Sequence, residues 1–446
     1  MGHAVRGEGG GGDAGIGPSE QPPAPRFLDA LALWWKLGWL SFGGPAGQIA
    51  LMHAELVERR GWVSESAFLH GLNYSMLLPG PEATQLAAYL GWRLHGVWGG
   101  VVAGGLFVLP GALVIAVLAW VYMSFGDVPA VAGVLLGLQA GVLAIIAQAV
   151  IRIGKRVLRG PLAVGLAVAA LFAIGVLSVP FPMIIASAAL VGWLVGRFRP
   201  ALLPQPAVHG AAGPAGEVSG PSRSLRWSLG LAVIILLAWW LPVAAVGIGL
   251  GTDSTGFAQA LFFSKAAVVT FGGAYAVLPY VAQQAVEVHQ WLAPGQMMVG
   301  LGLAETTPGP LILVLEFVGF VGGWQQPDLA SPLVSALLGA AITVWVTFVP
   351  SFLFVLPVAP WIERLREWPA ANAALTAITA AVVGVIANLA LWFGWSLLSA
   401  ADAWTVAFVV LLSSVMFAGL VWRGWSVLWV VPACAAAGLL FGAVAG

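Results

Sequence analysis

The sequence predicts an all-α polytopic membrane protein made of two copies of one unit, set in the bilayer with opposite orientations. Three observations predict it. First, 60% of the 446 residues are hydrophobic and only 8% are charged, with a mean hydropathy of +0.96. A soluble domain carries roughly 25% charged residues, so this chain cannot solvate its surface in water and its solvent is a bilayer. Second, its apolar runs repeatedly reach the ~20 residues a spanning helix needs. They do not alternate polar and apolar residues, as the strands of a barrel do. Third, one stretch occurs twice. KLGWLSFGGP…LLPGP, from Lys36 to Pro81, returns as KAAVVTFGGA…TTPGP from Lys265 to Pro310.

The register of that repeat is a single shift. Phe42 corresponds to Phe271, and 271 − 42 = 229. Without a gap the same shift carries Lys36 to Lys265, Glu58 to Glu287 and Trp62 to Trp291. It also carries Gly43 and Gly44 to Gly272 and Gly273, and Pro79-Gly80-Pro81 to Pro308-Gly309-Pro310. Further on the shift widens to 240 (350 − 110), which pairs Pro110 with Pro350 and Pro129 with Pro369. Agreement over so many helix breakers and rare lysines marks an internal duplication.

In chain order, residues 1–26 are Gly- and Pro-rich without an apolar core and read as a disordered cytoplasmic tail. Residues 27–60 are apolar but interrupted at Phe42-Gly43-Gly44-Pro45, and residues 66–95 are interrupted at Pro79-Gly80-Pro81. Proline and glycine together break the hydrogen-bond ladder, so each stretch reads as helix–break–helix. Full spans follow at about 97–124, 131–151, 161–178 and 180–196, completing a first repeat at 27–196. Residues 197–226 hold Pro, Gly, Ser and arginines and read as a cytoplasmic loop. A span within 227–255 then inverts the orientation. The broken units return at 256–290 and 294–325, followed by spans at about 331–360, 370–398 and 403–421, which close a second repeat at 256–421. Residues 422–446 supply a last span. The total is about nine full spans and four broken units.

Parity and charge both orient this chain. A broken unit that enters and leaves by one face adds an even number of crossings, while five full spans separate the copies, so the second copy sits upside down. Arg59-Arg60, Arg93, Arg152, Lys155, Arg156, Arg159, Arg197, Arg199, Arg223, Arg226, Arg364, Arg366 and Arg423 then all fall on one side. The opposite loops, around Asp127, Asp253, 284–294, Asp328 and Asp402, carry no Lys or Arg. By the positive-inside rule the amino terminus is cytoplasmic and the carboxyl terminus outside. Arg59-Arg60 of the first copy has become Val288-His289 in the second, where the same loop faces the other way.

Inverted repeats with discontinuous helices are the mark of secondary transporters, because a site near the midplane must open to each side in turn. A helix break also exposes unpaired N–H groups and the positive end of a helix dipole, and so prefers an anion. The candidate substrate-binding residues are Lys36, Ser41, Gly43, Gly44, Gly80 and Gln85 in the first copy. In the second they are Lys265, Thr270, Gly272, Gly273, Thr306, Thr307 and Gly309. Pro45, Pro79, Pro81, Pro308 and Pro310 set the breaks. Lys36 and Lys265 are the lysines inside predicted membrane segments, and a lysine there costs at least ~2.5 kcal/mol on insertion scales. Six residues separate each from its FGG break, roughly 9 Å along a helix, so both ammonium groups are expected to reach one central cavity or else to snorkel to the headgroups. Glu82 and Glu305 flank the PGP breaks and are candidate proton carriers, with Glu316 a weaker one, since membrane carboxylates commonly serve as such or pair with a lysine. The hydroxyls and amides, with Asn73, suit oxyanion oxygens or simply bond their own backbone. Arg93 reads as a headgroup anchor, and Gln148 with Asn388 as a packing pair.

Single Cys434 excludes an intrachain disulfide, and no Walker motif, metal-ligand spacing or nucleophile–base pair is visible. No cofactor, metal or nucleic acid is expected, and energy has to come from ion gradients or membrane potential, or from a separate partner.

At SFGGPAGQIALM with LLPGPEATQLA, and at TFGGAYAVLPYV with TTPGPLILV, the sequence resembles the chromate ion transporter (CHR) family, in its long two-domain form. The resemblance runs over nearly the whole chain from Phe27. It implies a protein of the cytoplasmic (inner) membrane that exports chromate and confers resistance to it, with sulfate as the isosteric competitor. It implies no enzymatic activity. Pro45 against Ala274 and Glu82 against Leu311 are departures between the copies. From the residues alone, a carrier of sulfate or an organic anion remains open, as does an intramembrane enzyme or scaffold. A monomer or a homodimer in its lipid would serve.

Overall fold

The computed structural model describes residues 25–42, 44–126, 128–199, 224–271, 273–361, 369–399 and 401–445. Among them the chain is helical and holds no strand. The expected tail and most of the inter-repeat loop, with Arg223, Arg364 and Arg366, lie outside the described residues.

The first copy opens with α1 (Phe27–Leu40) and α2 (Gly44–His53), which runs into a π-helical turn at Ala54–Arg59. Then come α3 (Glu65–Ser75) and α4 (Glu82–Phe125). The second opens with α9 (Thr255–Val269) and α10 (Ala274–Ala282), followed by a π-helical turn at Gln283–Val288. Then come α11 (Pro294–Thr306), a 3-10 turn at Leu311–Leu313 and α12 (Val314–Gln325). The two π turns are themselves 229 residues apart (283 − 54). Around these lie α5 (Pro129–Val157), α6 (Pro161–Gly175), α7 (Phe181–Phe198), α8 (Leu225–Leu250) and α13 (Pro332–Val355). The last three helices are α14 (Pro369–Ser399), α15 (Ala403–Trp422) and α16 (Val427–Ala445).

Eight of these helices are long and apolar enough to cross a membrane, and the protein is a multi-pass, all-helical membrane protein. The stretch expected as a span at 161–178 forms the 15-residue α6, because Ser178, with φ +51°, and Pro180 end it early. The expected boundary between the break unit at 66–95 and the span at 97–124 lies within α4: His95 (φ −139°) and Gly96 (φ +66°) leave helical geometry, and the chain doubles back there so that Gly91 lies against Gly99 and Ala103. Gly96 takes a conformation with no Cβ penalty, so the bend sits at the glycine rather than at Pro110.

Small residues bring helices together where apolar burial gives no preference for protein over lipid. On α5, Gly133, Gly137 and Gly141 recur every four residues and lie against Cys434, Gly438 and Gly442 of α16. Gly192 of α7 meets Ala373 and Ala377 of α14, and Gly384 of α14 meets Ala167 of α6. The two copies are covered unequally by this scaffold. All nine residues of α10 are buried, whereas only Gln48 and Met52 are buried in α2.

A side chain at Gly137 would collide with the Cys434 carbonyl, while Gly105 has nothing within 4 Å. Gly137→Leu is expected to lower stability by about 1–3 kcal/mol or more, the usual cost of overpacking, and Gly105→Leu to leave it nearly unchanged. Thermal unfolding of both variants in one detergent measures the difference.

Candidate functional site

The four interruptions meet in crossed pairs. The amide of Gly80, in the first PGP turn, donates to the carbonyl of Thr270 in the second FGG break (2.8 Å). The amide of Gly309, in the second PGP turn, donates to the carbonyl of Ser41 in the first FGG break (2.9 Å). These bonds are equivalent under the 229 shift: Gly80 maps to Gly309 and Ser41 to Thr270. Gly44 (φ +71°) and Gly273 (φ +90°) are equivalent too, as are Gly80 (φ +119°) and Gly309 (φ +94°). All four adopt backbone conformations open chiefly to glycine, which accounts for the glycines in both motifs.

The flanking prolines take part by their neighbours. Gly111, after Pro110 in α4, packs on Pro308 and Gly309. Ser351, after Pro350 in α13, packs on Gly80: a Cβ built there would lie 3.2 Å from its hydroxyl oxygen and 2.8 Å from Nε2 of Gln85. Here, too, each half's long helix backs the other half's turn. Pro81 and Pro310 sit at the starts of α4 and of the 3-10 turn, and Pro45 within the first turn of α2, where a missing N–H costs nothing. Pro79 offers its carbonyl to Gln85 Nε2 (2.6 Å). Four helix starts, at Gly44, Glu82, Ala274 and Leu311, therefore stand at the breaks, each with backbone N–H groups that lack an intrahelical acceptor.

Most of the expected hydroxyl ligands serve their own helices. Ser41 donates to the Leu37 carbonyl and Thr270 to that of Ala266, 2.6 Å away. Thr306 bonds the Gly302 and Leu303 carbonyls, and Thr307 that of Ala304. Gly43 and Gly272 lie outside the described residues. The first-copy amide that reaches the second PGP turn is Gln48, whose Nε2 donates to Gly309 O (2.6 Å) and to Ser41 O (3.3 Å). Its counterpart at 277 is a valine, so the repeat gave no pointer to it.

The two lysines are not brought together. Lys36 forms a 2.9 Å ion pair with Glu55, a carboxylate also bound by Arg59 (2.8 Å) and Arg60 (3.5 Å). Glu55 is buried and Lys36 half exposed, so the ammonium serves an internal countercharge rather than the break. Lys265 is exposed on the face of α9 that also presents Leu261 and Val268. A shared ammonium cavity is thus replaced by a first-copy ion cluster and an outward-facing lysine.

The carboxylates fare differently. Glu82 opens α4 and directs Oε1 to the second break, where a Cβ at Gly273 would lie 3.7 Å from it. Glu305 is buried and accepts a hydrogen bond from the hydroxyl of Tyr275, in the first turn of α10. Two arginines, read from the sequence only as charges on the cytoplasmic side, act on these groups electrostatically: Arg152 on Glu305 and Tyr275, and Arg156 on Glu82. They are one turn apart on α5 and share a face. Tyr275, Arg152 and Arg156 were legible only as loop or helix residues, because nothing in the local sequence says that α5 ends beside the second break. Two acids thus stand at the breaks, with two guanidinium groups on exposed residues of α5 within electrostatic range of them.

Residues 28–193 and 257–439 match the family model described as Chromate transporter. A chromate transport protein of Pseudomonas aeruginosa is 36% identical over 370 residues, covering 82% of this chain and 80% of that protein. One from Cupriavidus metallidurans is 29% identical over 382 residues (82% and 86%). A probable chromate transport protein of Synechococcus elongatus is 29% identical over 400 residues (88% and 91%). No solved structure matches the chain. The chain, with its duplicated FGG and PGP breaks, belongs to the chromate transporter family, a family of transporters rather than enzymes.

Proposed function

We propose that the protein exports chromate across the cytoplasmic membrane by alternating access, with the crossed breaks as the substrate site, and so confers chromate resistance. In this reading the amino terminus is inside, the carboxyl terminus is outside and the two repeats are inverted. The observation that carries it is the exchange of backbone bonds between equivalent breaks, Gly80 to Thr270 and Gly309 to Ser41. A site made equally by two halves can be handed from one side to the other by rocking one half against its mate. Unequal cover of α2 and α10 agrees with a resting state in which one copy is open and the other closed.

Chromate is a tetrahedral dianion at neutral pH. Helix N-termini and the α5 guanidinium groups offset its charge without a cage of side chains. Lys36 and Lys265 act outside this site, the first as part of the Glu55 cluster. Glu82 and Glu305 are the coupling acids nearest the breaks. Sulfate has the same shape and charge, so the assay must present both anions.

Flux of labelled chromate and sulfate in proteoliposomes tests the reading. Chromate flux without sulfate flux supports it; sulfate flux alone replaces it with a sulfate carrier. Arg152→Gln is expected to lower chromate flux about tenfold or more, in line with the ~1.5–3 kcal/mol of a charge-assisted bond. Lys265→Ala is expected to stay within about twofold of the parent, since its ammonium meets no partner at the breaks. Glu82→Gln and Glu305→Gln are expected to flatten the pH dependence of flux at constant voltage; an unchanged profile in both removes them as coupling acids.

A further inference from the structure

Eight buried side-chain oxygens and hydroxyls have no hydrogen-bond partner among the described residues, and five of them fall on one path. Glu316 of α12 is 4% exposed, and its Oε2 is unpartnered. Gln259 of α9 is fully buried; its Nε2 donates to Gly319 O (3.1 Å), which leaves Oε1 free. Thr343, Thr347 and Ser351 of α13 are each at most 1% exposed, and none of their hydroxyls finds an acceptor. By contrast Ser41, Thr270, Thr376, Thr379 and Ser413 donate to the carbonyl one turn back.

These groups are lined up by the packing of α12 on α13. A Cβ at Gly319 would collide with Thr343 Oγ1, and one at Gly339 would lie 2.7 Å from Gln259 Oε1. One turn further, Gly323 faces Ser335 and Ala336, so the helices run antiparallel. Extending that register one turn the other way places Glu316 level with Thr343 and Thr347. From there the hydroxyls recur at four-residue spacing on one face of α13, about 6 Å apart, a gap one bridging water spans. The stripe ends at Ser351, beside Gly80 and Gln85 in the first PGP break.

We propose that Glu316 is a proton-binding site and that Thr343, Thr347 and Ser351 relay its proton to the first PGP break. The inference rests on the transport reading above. In each transfer the O–H bond of the donor breaks as an O–H bond forms on the next hydroxyl or bridging water, whose own proton moves on; no electrons are exchanged. An unpaired carboxylate in this interior is costly, so Glu316 trades its proton only when water reaches the stripe. The elements packed against α12 are α13, α4, α9 and α11. Helix α13 has no charged or titratable group. Helix α9 has Lys265 on its exposed face, and α11 has Glu305, bound to Tyr275. Helix α4 carries Glu82, Tyr89, Arg93 and His95 toward its start and Tyr122 near its end, the last against Phe317 at 5.5 Å. None of these is an ion-pair partner of Glu316.

The test uses the full chain in proteoliposomes with an internal pH dye and voltage clamped by potassium and valinomycin. Glu316→Gln is expected to cut chromate-driven proton movement tenfold or more while keeping chromate–chromate exchange within about threefold. Thr347→Val should lower proton movement in the same direction, and Thr347→Ser should restore it. Proton movement at the parental ratio to chromate in Glu316→Gln overturns the proposal, as does loss of exchange and proton movement together. Infrared difference spectra between acid and alkaline pH need no substrate: a protonated-carboxyl C=O band present in the parent and missing in Glu316→Gln supports it. An unchanged band in that variant overturns it even if the protein proves to carry an anion other than chromate.

Discussion

Two backbone amides hold the centre of this protein together, and each belongs to the opposite half from the carbonyl it meets. Inside a bilayer an unpaired N–H costs several kcal/mol, so a helix cannot stop there unless something else receives its open valences. Here the PGP turn of one half caps the FGG break of the other, and the exchange is made twice at equivalent positions. The glycines follow from it: two positive-φ positions per half, and Gly111 small enough to let α4 rest on the opposite turn. So does the position of the prolines, which end ladders where the partner half takes over.

Much of this was visible in the sequence, because helix breakers and repeats are local signals. The 229-residue shift located both FGG breaks, both PGP turns and, without naming it, the equivalent π-helical turns at Ala54–Arg59 and Gln283–Val288. What the sequence could not give was which break meets which. A repeat says that two segments are alike, not that Gly80 lies against Thr270 rather than Ser41. For the same reason the lysines misled: equivalent placement implied a shared cavity, but Glu55 has no acidic counterpart at 284, which is a glutamine. Lys36 found that carboxylate, and Lys265 found none among the described residues. Arg152 and Arg156, in contrast, counted only toward orientation, because charge counting sees a helix end and not the neighbour across from it.

The departures from symmetry gather at the breaks. Glu82 stands where the second half has Leu311, Gln48 where it has Val277, and Tyr275 where the first half has Ala46. Each reaches across to the breaks or to an acid beside them. A strictly symmetric pair of halves would bind equally from both sides. With Glu82 and Gln48 in the first half only, and Tyr275 and Glu305 in the second only, the two halves present different polar groups to the breaks.

An experimental density map of the protein in a lipid nanodisc, at a resolution that shows backbone carbonyls, tests the account at its centre. The expected map shows the turn at Gly80 against Thr270 and the turn at Gly309 against Ser41, each crossing from one half to the other. A map in which each PGP turn packs on the FGG break of its own half would contradict it.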